Sequence, residues 1–339
     1  MRKHLIPLAL LLAATPALPQ ASANIAAGRA QPSPLAPAEI VNAAPKTDWA
    51  AIAAADLLVM DLAPDAKGKP RRVVIQLMPA PFSQGWVSNI RKLAAAQFWD
   101  GTSINRVQDN YVVQWGDANA EDKGKAKRLP ADLAVVPESG YSLDYESAPY
   151  NRARSRLLRQ ARPDFTPLPG EHRAGYWHTA RDPYTNGGAT FDGGWPLGYD
   201  GNAVWPVHCY GMVGVGRDMP PNTGTGAELY TVIGHAPRHL DRNIALVGRV
   251  IEGIEHLSSL PRGTGALGFY ETPEERTGIV SVRIGSEVSG LPAYEYLSTE
   301  SESFARYADA RANRRDAFFI RPSGGADVCN IPVPLRRVK

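Results

Sequence analysis

The sequence is poor in cysteine, with only Cys209 and Cys329 among 339 residues. That excludes a disulfide-dense scaffold and leaves at most one bridge, whose geometry the sequence alone does not test. Charge of one sign is also missing: 37 Lys and Arg stand against 34 Asp and Glu, intermixed along the chain. A basic stripe is the usual footprint of nucleic-acid binding, so no nucleic-acid partner is expected. No apolar run approaches the roughly 20 residues that a membrane-spanning helix needs. The stretch Leu5 to Leu12 is short and interrupted by Pro7, so no membrane anchor is expected. Familiar catalytic motifs are lacking too: GxSxG, HExxH, a Walker lysine loop and a GxGxxG between strand and helix. The histidines are scattered. His235 and His239 are four apart but separated by Pro237, which breaks a shared helical face and makes a zinc site a poor reading.

What is present begins with Arg2 and Lys3, the apolar run, and the small triplet Ala21-Ser22-Ala23. This is the layout of a secretory signal peptide, with cleavage expected after Ala23 and a periplasmic or secreted location. Residues 24–46 are Ala- and Pro-rich without a period and read as a flexible lead-in. Leu57 to Met60 and Val73 to Leu77 flank a polar segment containing Gly68 and Pro70, a hairpin signal. Trp86, Ile90, Leu93 and Ala94 recur at helical spacing between Ser83 and Phe98, with Ser83 as the expected N-cap. Further strand-like runs lie at 104–107, 111–114, 208–215, 228–233, 245–250 and 279–284. A short helix is expected around Ile254, Leu257 and Leu260. Many short strands with two helices predict a mainly β fold, a closed barrel capped by helices. Residues 118–207, rich in Gly, Pro and aromatics such as Trp177, Trp195 and Trp205, exceed any ordinary loop and read as an insertion with structure of its own. Residues 298–320 predict a helix within a C-terminal extension, 291–339.

The densest signal is Phe98-Trp99-Asp100-Gly101-Thr102-Ser103-Ile104-Asn105-Arg106-Val107, followed by Tyr111-Val112-Val113-Gln114-Trp115-Gly116-Asp117. It resembles the cyclophilins, whose Tyr-Asp-Gly-Thr, Phe-His-Arg-Val and Phe-Met-Ile-Gln-Gly-Gly-Asp occur in that order. The likeness extends to Val73-Val74-Ile75-Gln76-Leu77 and to His208-Cys209-Tyr210-Gly211-Met212-Val213. It continues through Gly226-Ala227-Glu228-Leu229-Tyr230 and His239-Leu240-Asp241-Arg242-Asn243-Ile244. The resemblance implies an eight-stranded antiparallel barrel over residues 47–290, interrupted by the insertion. It also implies a peptidyl-prolyl cis/trans isomerase acting on proline-containing polypeptides, with no cofactor and no metal.

By the same resemblance Arg106 and Gln114 are the catalytic pair, and Tyr111, Val112, Gly214, Leu229, Tyr230, Leu240 and Ile244 bind the proline. The chain departs from the family at Ile104, Asn105, Trp115 and Glu228. Glu228 is expected near Arg106, where a carboxylate would divert its donors, and Trp115 adds bulk beside the groove. His239 and Ile244 replace residues that contact cyclosporin, which implies weak inhibition by that drug. These departures leave open a second reading, a catalytically weak or inactive peptide-binding module or chaperone. A hydrolase built on His178 or His208 has no motif behind it. Oligomeric state is not legible.

Overall fold

The computed structural model of the protein describes residues 34–144 and 182–338. The expected signal peptide, residues 24–33 of the lead-in, and the part of the insertion holding His172, Trp177 and His178 lie outside the described residues.

The two runs read as a hairpin form β2 (Leu57–Leu62) and β3 (Arg71–Leu77), paired from Leu57 opposite Gln76 to Leu62 opposite Arg71. Their turn is closed by Asp65, whose Oδ1 accepts the N–H groups of Lys67 and Lys69 at 2.8 and 2.9 Å. Gly68 takes the positive φ of 74° that a side chain would resist. Six further strands complete the barrel: β4 (Ser103–Val107), β5 (Val112–Gly116), β10 (Met212–Val215), β11 (Leu229–Val232), β12 (Leu246–Glu252) and β13 (Thr277–Ile284). The closed antiparallel order is β10-β11-β5-β4-β13-β2-β3-β12. Each of the eight runs legible in the sequence is one of these strands.

Helix α2 (Gln84–Ala95) packs its buried face, Trp86, Val87, Ile90, Leu93 and Ala94, on the barrel. Ser83 occupies the expected cap position but makes no cap hydrogen bond, because its backbone is left-handed with φ 55°. An N-cap normally has extended backbone, which aims its oxygen at the first turn. Asn89 is fully buried on α2 and exchanges hydrogen bonds with the backbone of Ala134, pinning the start of the insertion. The second cap is a single turn, α3 (Glu255–Ser258), anchored by buried Leu257.

The lead-in is not wholly unstructured: Pro37–Ala43 form helix α1, with Pro37 in the first turn and Ile40 buried. Sequence period missed it because one apolar side chain suffices when the opposing surface is already assembled. Trp49 opens β1 (Trp49–Ile52), which joins β14 (Tyr294–Leu297) and β15 (Leu335–Arg337) in a separate three-stranded sheet. Within the insertion, β6 (Leu143–Asp144), β7 (Gly188–Asp192), β8 (Trp195–Asp200) and β9 (Ala203–Pro206) form a four-stranded sheet in the order β6-β9-β8-β7. The C-terminal helix α4 (Glu302–Ala312) is shorter than its predicted span and is capped by Ser301, which accepts from Phe304 N–H at 3.1 Å. Phe304, Tyr307 and Ala308 are buried, as their spacing predicted.

These additions share the barrel's core. Phe191 of β7 meets Phe304 of α4 edge-to-face at 5.1 Å, and burial of each ring contributes about 1.5–3 kcal/mol. Arg249 of β12 lies over Trp195 at 4.4 Å and donates to Gly194 O at 2.6 Å, tying the insertion sheet to the barrel wall. A disulfide joins Cys209 to Cys329, settling a pairing the sequence left open.

Candidate active site

Strands β4 and β5 set Arg106 directly opposite Gln114, after a bulge at Asn105 that shifts the register. A bulge re-aims the side chains that follow it. Arg106 Nη1 donates to Gln114 Oε1 at 3.0 Å, Nε donates to Leu267 O at 2.8 Å, and Nη2 donates to Gln108 Oε1. The guanidinium is half-buried between two rings, Tyr111 at 5.7 Å and Phe269 at 5.2 Å from its carbon. Burial lowers its pKa, while Tyr111 and Glu228 pull the other way. An arginine so placed remains a cation.

Glu228 does reach this cluster, though not by pairing with Arg106. Gln114 stands between them: its Oε1 accepts from Arg106 and its Nε2 donates to Glu228 Oε1. Burial raises the Glu228 carboxyl above its ordinary range, against the opposing influence of Gln114 and Arg106. Past Glu228 the surface opens into a cavity of about 410 Å³, lined in part by Phe98, Lys127, Leu129, Arg217 and Thr225.

On the other side of Arg106 is an apolar cluster, Val112, Tyr230 and Val232, with Tyr111 and Ile244 packed against it. Thus four of the seven expected proline-binding residues meet in one cluster, which Tyr111 joins to the guanidinium. Gly214 lies across from Tyr230 in the β10–β11 ladder and belongs to the same place through its backbone. Leu240 ends a 3-10 turn, Arg238–Leu240, half-buried, and its carbonyl accepts Ile244 N–H at 3.2 Å. Leu229 is the exception. It is 1% exposed and packs in the main core, because successive residues of a strand face opposite sides and Tyr230 takes the cleft.

The sequence model of the family described as "Cyclophilin type peptidyl-prolyl cis-trans isomerase/CLD" matches residues 69–284, well over half the chain. The chain belongs to that family. It is a peptidyl-prolyl cis-trans isomerase with the cyclophilin barrel. Among solved structures, the cyclophilin AquaCyp293 from Hirschia baltica is similar, with a TM-score of 0.57 and 21% identity over 85% of this chain and 92% of that one. A cyclophilin type peptidyl-prolyl cis-trans isomerase from Cryptosporidium parvum, determined in the presence of the dipeptide Ala-Pro, aligns at a TM-score of 0.35. Its identity is 12%, over 67% of this chain and 98% of that one. No curated protein matches the sequence.

Two departures of this cyclophilin from its family's pattern are resolved by alternation along β4 and β5. Trp115 is 1% exposed and Ile104 fully buried, so both fill the barrel and neither crowds the groove. Asn105 Nδ2 donates to Gly116 O at 3.1 Å, holding the bulge across the two strands. Three contributors escaped the sequence reading: Gln108, Phe269 and the carbonyl of Leu267. Leu267 has φ 56°, and such backbone needs tertiary contacts to hold it. Only Gln108, two residues from Arg106 along the strand direction, carried a local signal. Among the described residues, no group of three or more His, Cys, Asp or Glu is arranged to hold a metal ion.

Proposed function

We propose that this isomerase acts on Xaa-Pro bonds of exported proteins, without a covalent intermediate, by stabilising the twisted amide with Arg106. Rotation about a peptide bond passes through a state without amide resonance, at a barrier of about 18–20 kcal/mol. Uncatalysed Xaa-Pro isomerisation takes about 10–100 s. As resonance is lost, the prolyl nitrogen gains a lone pair, and a guanidinium donor aimed at it favours the twisted state over either planar isomer. Gln114 orients Arg106 and the substrate backbone, while Tyr111, Val112, Tyr230 and Ile244 take the prolyl ring.

The observation that carries this reading is the setting of Arg106: half-buried, held among the described residues by neutral oxygens alone, and adjacent to an apolar cluster through Tyr111. Neutral acceptors fix the guanidinium without cancelling its charge. The Cys209–Cys329 bond supports export, since structural disulfides persist in oxidising compartments. A protease-coupled proline-peptide assay on the chain from residue 24 onward, with Arg106→Ala beside it, tests the mechanism. A wild-type rate no higher than the uncatalysed one, or an Arg106→Ala rate equal to wild type, sinks it.

One observation favours a second reading, a peptide-binding module with little turnover. The Gln114 amide is engaged at both ends, by Arg106 and by Glu228. Peptide binding that survives Arg106→Ala, in a chain that does not accelerate isomerisation, selects it.

A further inference from the structure

Inward from Tyr230 of the apolar cluster runs a chain of polar side chains, His208, Asp241, Arg238 and Asp182, that the isomerisation reading does not use. Tyr230 OH is 2.8 Å from His208 Nε2, and His208 Nδ1 is 2.9 Å from Asp241 Oδ1. Arg238 Nε donates to Asp241 Oδ2 and Arg238 Nη2 to Asp182 Oδ2, each at 2.6 Å. All five residues are buried, His208 completely. Buried polar groups of this kind persist when paired, and here each residue has at least one partner, although Arg238 Nη1 has no hydrogen bond and only approaches Asp327 at 3.6 Å.

The direction of the chain follows from what each group can do. A carboxylate only accepts, so Asp241 Oδ1 takes the Nδ1–H of His208 as well as its backbone N–H at 2.9 Å. The other ring nitrogen, Nε2, is thereby turned to the phenol of Tyr230, and the two share one hydrogen bond. Burial holds that phenol well above its ordinary value, so its proton stays on the oxygen. For Asp241, burial alone would raise the carboxyl, but His208 and Arg238 outweigh it and the net shift is downward.

The opposite side of the Tyr230 ring is equally determined. A Cβ on Gly214 would fall 2.3 Å from both Cζ and the hydroxyl, so the ring lies on bare backbone of β10. The imidazole and phenol rings are nearly coplanar, 9° apart. Gly214 gives the ring its seat, and His208 fixes its tilt within that seat.

We propose that His208, oriented by Asp241, is a positioning residue that fixes the Tyr230 ring as the floor of the proline slot and so sets affinity for the prolyl ring. This rests on the reading of the Arg106 cleft as the prolyl site. The contribution falls on binding and leaves the twisting step to Arg106.

A double-mutant cycle tests it, using His208→Leu, Tyr230→Phe and their combination in the disulfide-bonded chain. The readouts are the Kd of an Ala-Pro-containing tetrapeptide by NMR titration, and kcat and KM from the coupled assay. The expected result is a three- to tenfold weaker Kd, about the worth of one buried hydrogen bond, in each single variant. KM rises in parallel, kcat stays within about twofold, and the double variant is no weaker than the weaker single. Equal, additive losses from His208→Leu with and without Tyr230→Phe would overturn the proposal, as would an unchanged Kd in Tyr230→Phe. That last variant keeps the ring and its volume, so it decides the matter even if His208→Leu does not fold. Affinity is read without turnover, so loss of rate in Arg106→Ala at unchanged Kd separates the fate of this proposal from that of the catalytic reading.

Discussion

Arg106 and Arg238 are the same side chain in opposite settings. Arg238 is 2% exposed and meets three carboxylates: Asp241 and Asp182 at 2.6 Å, and Asp327 at 3.6 Å. Burial would lower its pKa, yet those anions raise it overall. Arg106 is half-buried, donates among the described residues to carbonyl and amide oxygens only, and burial lowers its pKa. A guanidinium enclosed by carboxylates has its charge cancelled by its neighbours, even where, as at Arg238 Nη1, one nitrogen makes no hydrogen bond. One held by neutral oxygens keeps an uncancelled charge beside the rings of Tyr111 and Phe269, and the carboxylate of Glu228 is kept one amide away. The acceptors, more than the depth of burial, separate an arginine that holds the fold together from one that can act on a substrate.

The contrast is broken most severely at Arg238. Arg238→Met leaves Asp182 and Asp241 buried without their cation, and the expected loss is about 3–5 kcal/mol of stability in chemical denaturation. A loss below about 1 kcal/mol means the carboxylates are satisfied without it. Arg106→Ala comes next: kcat/KM should fall about 10²- to 10³-fold, the size of losing one preorganised donor, with the melting temperature nearly unchanged. A large drop in melting temperature instead would place Arg106 with Arg238, among the arginines that hold the fold.

Glu228→Gln sharpens the comparison at the smallest scale. Removing the anion leaves a neutral amide oxygen that holds Gln114 Nε2 less strongly and no longer draws on the Arg106 charge, and kcat/KM should rise severalfold in the coupled assay. The same variant has a pH signature. Burial raises the Glu228 carboxyl in the fold, so wild-type stability is greatest below the unfolded carboxylate range and falls as pH rises through the folded value. Glutamine has nothing to ionise. The variant should therefore be the more stable protein at pH 7, and the difference should shrink towards zero as pH falls to 4 and below. Denaturation midpoints measured across that range check it, and a difference that grows on acidification contradicts the assignment.

The barrel was legible because its strands are continuous or alternating apolar runs separated by Gly and Asn, signals carried within a few residues. Arg106 and Gln114 were legible because they sit inside contiguous motifs. Leu229 and Trp115 were misplaced although strand alternation held the answer: Trp115 pairs with Leu229 and Gln114 with Tyr230, so one pair fills the barrel and the other faces the cleft. Helix α1 was missed because its order comes from the surface it meets. The His208, Asp241, Arg238 and Asp182 chain had no local pattern at all, since its partners come from the insertion, the approach to β10 and the turn before β12. Cys209 and Cys329 are 120 residues apart yet 5.0 Å between Cα atoms, a proximity only the assembled fold creates.

Closure of the barrel has a consequence for how a client is read. With β10 and β12 hydrogen-bonded to each other, the eight strands present no unpaired edge. A polypeptide therefore cannot join the barrel by strand addition, the route by which many peptide receptors gain affinity from main-chain pairing along several residues. Grip must come from side chains standing on the outer wall, centred on one ring-sized slot.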